Sequence, residues 1–213
     1  MNVILSFALT TLSCRISLGV MLGFFLALMS CAKSTPPTSH ASAEWVRFAS
    51  DMTEPWRPLN DGVMGGLSEG EVEMHHSSIT WRGQTRLENN GGFASVRSTW
   101  GARNLSDLDQ VVVKCRGTGG PFKLTMETSE RWWMPYAYAS FEPTAEWQEV
   151  VISVSDLKWS QAQMGDLTSV RPSRDLGQVL RLGLMKYDGT AQAFDLEVAS
   201  IAFLNRQGAG SQP

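Results

Sequence analysis

Two tryptophans and a tyrosine stand close together in the run Trp132-Trp133-Met134-Pro135-Tyr136. Because consecutive residues of a strand point to opposite faces, at least one of the two indoles is expected to be exposed. An exposed indole can stack on a sugar ring or centre a protein interface, whereas a buried one would close the end of a sandwich core. We take Trp132, Trp133 and Tyr136 as candidate binding residues, together with Met164 from a later loop.

A second group of side chains could bind a metal ion but is better explained as a solvated strand. Glu69, Glu71 and Glu73 alternate along one stretch and therefore share a face, and His75 and His76 follow them. Adjacent imidazoles on a strand diverge, so one ion could not easily take both, and charged edge strands commonly prevent edge pairing. We expect no metal and no cofactor. No nucleophile elbow, zinc-binding helix pattern or paired cysteine ligands occur, so no catalytic residue and no enzyme activity are predicted.

Two segments rich in Gly and Asn are expected to form rigid turns. Glycine permits positive φ, and Asn and Asp side chains cap exposed amides. Asn89-Asn90-Gly91-Gly92 and Gly117-Thr118-Gly119-Gly120 are both predicted to be turns of antiparallel hairpins. Arg97 follows the first of these, and we expect it to form a buried ion pair with Asp61 rather than to recognise a ligand. We assign a structural rather than a binding role to a set of residues in two segments around these turns, which we call the signature residues: Trp56, Asn60, Asp61, Gly62, Met64, Gly65, Gly66, Asn89, Asn90, Gly91, Gly92, Phe93 and Arg97.

The elements that must position these residues are β-strands. Between Trp45 and Leu204 short alternating or β-branched stretches recur between turn signals, with no sustained helical periodicity. Alternation such as that in Gln148–Ser153 fits a sheet with one buried face, and two such sheets make an antiparallel β-sandwich. The segment 159–177 is expected to be a long loop with at most one helical turn, and it is a candidate partner surface.

The amino-terminal region predicts export and lipid anchoring. An apolar run follows Arg15 and ends in Leu28-Met29-Ser30-Cys31, which resembles a bacterial lipobox. Residues 1–30 are therefore expected to be a signal peptide, Cys31 to be lipidated, residues 31–43 to be a flexible tether, residues 44–205 to be the sandwich domain and residues 206–213 to be a disordered tail. The alternatives are an ordinary cleaved signal or an uncleaved anchor. The expected location is the cell envelope, with the outer membrane favoured and the domain facing the periplasm.

Composition limits the partners. Of 213 residues 43% are hydrophobic and 18% are charged, as in a folded domain, and the formal net charge of −3 makes a nucleic-acid partner unfavourable. Cys14 would leave with the signal and Cys31 would be acylated, so Cys115 is expected to be a small buried hydrophobic residue without a disulfide partner.

The signature segments resemble those of a known family. Asn60 to Ser68 and Leu87 to Arg97, with Tyr136 to Phe141 and Phe194 to Ile201, are similar to the complex I intermediate-associated protein 30 family. This resemblance implies a galactose-binding-like β-jelly-roll fold without known catalytic machinery, and its eukaryotic relatives are chaperone-like factors in complex I assembly. We therefore expect a membrane-tethered, non-enzymatic module that binds a protein partner. The alternative is a carbohydrate-binding module that recognises envelope or surface glycans.

Overall fold

The computed structural model describes residues 43–48, 55–161, 165–166 and 173–205. These residues form thirteen strands and four short 3-10 helices, at Asp61–Met64, Glu88–Asn90, Val154–Asp156 and Ser173–Gln178. The strands are β1 (Ala43–Arg47), β2 (Arg57–Pro58), β3 (Glu69–Met74), β4 (Ile79–Gln84), β5 (Ala94–Arg97), β6 (Leu108–Thr118), β7 (Phe122–Glu127), β8 (Tyr136–Phe141), β9 (Gln148–Ser153), β10 (Lys158–Gln161), β11 (Gly165–Asp166), β12 (Arg181–Lys186) and β13 (Ala193–Asn205).

The strands form two antiparallel sheets. The six-stranded sheet has the order β3-β4-β13-β6-β9, and β1 also pairs with the long strand β13. The seven-stranded sheet has the order β11-β10-β8-β7-β12-β5-β2. The prediction of an all-β, antiparallel sandwich of jelly-roll type is therefore confirmed.

The core lies between the sheets and follows from strand alternation. In β7, Phe122, Leu124 and Met126 are completely buried while the residues between them turn to the other side. The Trp81 ring packs 4.6 Å from Phe194, between centroids, and the burial of each such side chain stabilises the fold by about 1.5–3 kcal/mol. Cys115 is fully buried, as expected, and burial raises the pKa of its thiol to about 12.

Both hairpin predictions are wrong, although the positive φ predicted for each turn is found, with φ of 76° at Gly119 in the second turn. Asn89 and Asn90 have φ of 56° and 58°, the left-handed conformation that the sequence predicts. However, the strands on either side, β4 and β5, lie in different sheets, and so do β6 and β7 around Gly117–Gly120. These turns carry the chain across the sandwich, which local sequence does not distinguish from a hairpin.

The expected loop 159–177 contains more regular structure than predicted. Its start belongs to β10, which pairs with β8, and its end forms the six-residue 3-10 helix Ser173–Gln178, about two turns where the sequence allowed one. Met164 lies outside the described residues. No helix among the described residues is long and apolar enough to span a bilayer.

A buried ion pair lies at the end of β12. Lys186 is fully buried, and its Nζ donates to the Asp188 carboxylate and, over 3.3 Å, to the carbonyl of Gly120. Burial by itself would raise the pKa of Asp188, but hydrogen bonds from Lys186 and Thr190 outweigh it and hold that pKa below its ordinary value.

Candidate ligand-binding face

The hairpin between β7 and β8 carries three of the four candidate binding residues. Trp132 and Trp133 are exposed at its tip, with ring centroids 5.9 Å apart in an edge-to-face arrangement. Tyr136 begins β8 and lies directly opposite Glu127 of β7. The structure therefore brings these aromatic residues to one end of the seven-stranded sheet.

The outward side of that sheet, which we call the outer face, carries further aromatic rings. Lys123 and Tyr138 lie on this side by register, but Tyr138 is only 3% exposed, because the Lys123 ammonium lies 4.5 Å from its ring centroid and 5.1 Å from that of Tyr187. Trp100, just after β5, is 44% exposed, and the Arg181 guanidinium lies 3.9 Å above its ring. Such cation–π contacts fix the orientation of the rings.

Glu127 occupies the centre of a charged cluster on the outer face. Its Oε1 accepts from Arg97 Nη1 at 3.0 Å, and its Oε2 accepts from Arg181 Nη2 at 2.6 Å and Nε at 3.0 Å. The three side chains are only 14–17% exposed. Burial lowers the pKa of Arg97. The negative charge of Glu127 opposes this lowering, and the positive charge of Arg181 adds to it. The guanidinium remains charged because its ordinary pKa lies far above neutrality.

The predicted ion pair between Asp61 and Arg97 is wrong. Asp61 is completely buried, and its carboxylate accepts from the Ser68 amide and hydroxyl at 2.9 and 2.6 Å and from the amides of Gly92 and Phe93 at 2.7 and 3.2 Å. Burial raises the pKa of Asp61, but these bonds outweigh it and hold the pKa below its ordinary value. Asp61 does tie the two signature segments together, although through backbone amides rather than through Arg97.

Two glycines make this arrangement around Asp61 possible. A Cβ on Gly66 would lie 2.3 Å from Asp61 Cγ, and a Cβ on Gly91 would lie 2.6 Å from Asp61 Oδ2. Either contact is too short for any side chain, so the sequence needs glycine here for close approach rather than for flexibility. By contrast, a Cβ on Gly62 would meet nothing within 4 Å.

The remaining signature residues support the same turns or lie on the surface. Asn60 Nδ2 donates to the carbonyl of Gly70 at 3.3 Å, and Asn89 Nδ2 donates to the carbonyl of Gly65 at 3.0 Å. The buried Trp56 ring packs edge-to-face on Phe48. Four apolar side chains of the two segments are exposed: Val63, Met64, Leu67 and Leu87.

The opposite side of the sandwich contains a shallow depression of about 540 Å³. Its charges are mutually compensated, because Arg116 binds Glu197 at 2.7 Å and Arg82 lies 3.7 Å from Asp195. Paired charges of this kind leave few groups for a ligand, so the outer face, which carries exposed aromatic rings, is the better candidate. Glu69, Glu71 and Glu73 do share this side, as predicted, and within the described part of the chain no group of three potential ligands could hold a metal ion.

Sequence comparison identifies the family. The model of the complex I intermediate-associated protein 30 family matches residues 46–198, which include both signature segments and most of both sheets. The chain belongs to this family. No curated protein matches the sequence.

Two solved structures similar to this family member are carbohydrate-binding modules. The family 11 module of the cellulosomal cellulase Lic26A-Cel5E of Clostridium thermocellum aligns with a TM-score of 0.59 at 10% identity, covering 81% of this chain and 100% of the module. A family 11 module from the same organism in complex with a β-1,3-1,4-mixed-linked tetrasaccharide aligns with a TM-score of 0.52 at 8% identity, covering 76% and 95%. At these identities the likeness establishes the fold alone: an antiparallel β-sandwich of the galactose-binding-like type.

Several residues of the outer face were not predicted. Tyr138 is two residues from Tyr136 on a strand, so alternation could have indicated that both rings share a face. Trp100, Tyr187 and Arg181 come from other strands and connections, and nothing in their local sequence relates them to β8.

Proposed function

We propose that this protein binds carbohydrate and that the outer face of the seven-stranded sheet is the binding surface. The observation that carries the proposal is the group of aromatic rings accessible on one side of one sheet, formed by Trp100, Tyr136 and Tyr187, with the buried Tyr138 ring packed beneath Lys123. Sugar-binding surfaces combine flat rings with a few fixed polar groups, and Lys123 and the charged cluster around Glu127 supply such groups here.

The fold relatives favour the same proposal. Two of the similar structures are carbohydrate-binding modules, and one of them is a complex with a β-1,3-1,4-mixed-linked tetrasaccharide. The exposed Trp132 and Trp133 extend the aromatic surface at the end of β7 and β8. A ligand longer than one sugar ring could therefore contact both the sheet and the hairpin.

The experiment is affinity electrophoresis of the full-length protein against a panel of immobilised glycans. Trp100→Ala is expected to weaken retention by roughly tenfold, because stacking of a sugar ring on one aromatic side chain contributes about 1–2 kcal/mol. Trp147→Ala is the matched control, since Trp147 is 40% exposed and also lies under a guanidinium, that of Arg116 at 5.0 Å, but belongs to the other side of the sandwich. Equal effects of both variants, or no retention on any glycan, would reject the proposal.

A second candidate function is binding of a protein partner during assembly, as the family resemblance implies. The observation in its favour is the exposed apolar group Val63, Met64, Leu67 and Leu87, which sits on turns held rigidly by Asp61. Crosslinking in envelope extracts with Met64→Lys as the variant tests it. A partner that is lost with this substitution but retained by Trp100→Ala would favour this function over sugar binding.

We further propose that the domain acts at the cell envelope, tethered through Cys31. The lipobox sequence supports this location. Metabolic labelling with a radioactive fatty acid should label the wild-type protein, and Cys31→Ser should remove both the label and the membrane association. An unlabelled wild-type protein would exclude the anchor.

A further inference from the structure

The charged cluster on the outer face has one more positive charge than negative charge. Arg97 and Arg181 share the single carboxylate of Glu127, in surroundings that are five-sixths closed to solvent. Glu127 occupies Nη1 of Arg97 and both Nε and Nη2 of Arg181, and Arg97 Nε donates to Ser95 Oγ at 3.2 Å. Nη2 of Arg97 and Nη1 of Arg181 thus remain able to donate to an incoming acceptor.

Further cations surround this cluster. Arg57 pairs in register with Arg97, and Lys158 pairs in register with Tyr138, so both side chains share the outer face, where both are exposed. Neither forms an ion pair with the described residues. Among the described side chains of the strands on this face, Glu127 is the carboxylate that opposes them.

The rest of the molecule has the opposite character. The protein has a formal net charge of −3, and Glu69, Glu71 and Glu73 lie on the far side of the sandwich. A cationic surface on an acidic protein is costly to assemble unless it meets negative charge, because like charges in a partly closed site repel each other. The concentration of positive charge on the outer face therefore favours a negatively charged ligand.

Building on the proposed function, we infer that the glycan is anionic, a polysaccharide whose sugar rings carry carboxylates. A uronate carboxylate has the planar, two-oxygen geometry that a guanidinium fork recognises. It would accept from Arg97 and Arg181 while its ring packs against Trp100 or Tyr136, which flank the cluster. Arg57 and Lys158 would attract the neighbouring carboxylates of the chain.

The test compares two forms of one polymer. Polygalacturonate and fully methyl-esterified polygalacturonate have the same sugar backbone and differ in charge, so they separate charge recognition from stacking. Full-length protein in detergent is titrated with each polymer, with neutral mixed-linkage β-glucan and with polyglutamate, at 50 and 500 mM salt. We expect binding of polygalacturonate at least tenfold tighter than of the ester, weakening with salt because screening shortens the range of the interaction.

Charge reversals locate the interaction. Arg57 and Lys158 are exposed, so the substitutions Arg57→Glu and Lys158→Glu should leave the fold intact. Each substitution is expected to weaken binding of polygalacturonate roughly five- to tenfold at low salt. Lys114→Glu is the matched control, an exposed lysine on the other sheet. Glu127→Gln removes the carboxylate that the two arginines share and should preserve or strengthen binding.

The outcomes separate this inference from the proposed function. Equal binding of the ester or of neutral glucan would overturn the anionic assignment while leaving carbohydrate binding in place. Polyglutamate binding as tightly as polygalacturonate would mean that the face responds to charge alone, and would overturn the assignment of a glycan. Equal loss in Lys114→Glu and Arg57→Glu would overturn the location, and binding of no polymer would reject both ideas.

Discussion

Removal of the Asp61 carboxylate should be the most damaging single change to the signature turns. In Asp61→Ala the amides of Ser68, Gly92 and Phe93 lose their acceptor, and the first two of these bonds are buried. The Ser68 hydroxyl is affected less, because it also lies 3.2 Å from the carbonyl of Arg86. The variant therefore leaves buried N–H donors that neither protein nor bulk water can easily satisfy.

The expected loss of stability follows from these contacts. An unsatisfied buried donor costs about 1–3 kcal/mol, and removal of the carboxylate returns part of its own desolvation cost, so Asp61→Ala should lose about 4 kcal/mol. With a urea m-value of about 2 kcal/mol/M, the midpoint of denaturation should fall by about 2 M at unchanged slope. Urea titrations followed by tryptophan fluorescence measure this shift.

An exposed aspartate provides the control. Asp195→Ala removes a carboxylate that is half exposed and 3.7 Å from Arg82, and such a pair contributes at most about 0.5–1 kcal/mol. A midpoint for Asp61→Ala within about 0.5 M of the value for Asp195→Ala would refute the reasoning, because it would mean that the turn amides do not depend on this acceptor.

Further changes probe the signature turns and the core. Gly66→Ala should cost about 2 kcal/mol or more, because its Cβ would lie 2.3 Å from Asp61 Cγ, whereas Gly62→Ala, with open space around it, should lie within about 0.5 kcal/mol of wild type in the same titration. Lys186→Ala breaks a buried ion pair and should cost about 3–5 kcal/mol, measured by calorimetry. The pKa of Asp61 is lower in the folded state than in the unfolded state. Its contribution to the free energy of unfolding is therefore complete above about pH 4 and is lost as the pH falls through the lowered pKa. In Asp61→Asn the free energy of unfolding should depend less on pH in this acidic range. Cys115, with a pKa of about 12, should resist a thiol reagent at pH 8 until the protein is unfolded.

The fold was predictable because its signals are local. Alternation in stretches such as Phe122–Glu127 and Gln148–Ser153 reports which side of a strand is buried, whichever strand lies next to it. Strand partners are not local, so the local sequence predicts a hairpin at both Gly-rich turns although each of these turns crosses between the sheets. The two-residue strand β2 is held by the backbone of β5 rather than by its own propensity, and it could not be found from sequence.

The outer face was only partly predictable for the same reason. The cluster Trp132, Trp133 and Tyr136 is contiguous in sequence and was found, and Tyr138 could have been added by alternation. Trp100 and Arg181 meet only because β12 lies between β5 and β7 in the sheet order. A site assembled across several strands leaves no spacing in the sequence, because its geometry is set by sheet order.

The misassigned partner of Asp61 shows how turn geometry decides electrostatics. A buried carboxylate needs donors, and residue types alone do not say whether a guanidinium or several amides will supply them. The left-handed residues Asn89 and Asn90 bend the chain so that the amides of Gly92 and Phe93 converge on Asp61, whose demand is then met without a cation. Arg97, on the outward side of β5, is left to share Glu127 with a second arginine. The same turn that makes the fold rigid thus leaves the outer face with the positive charge from which we infer its ligand.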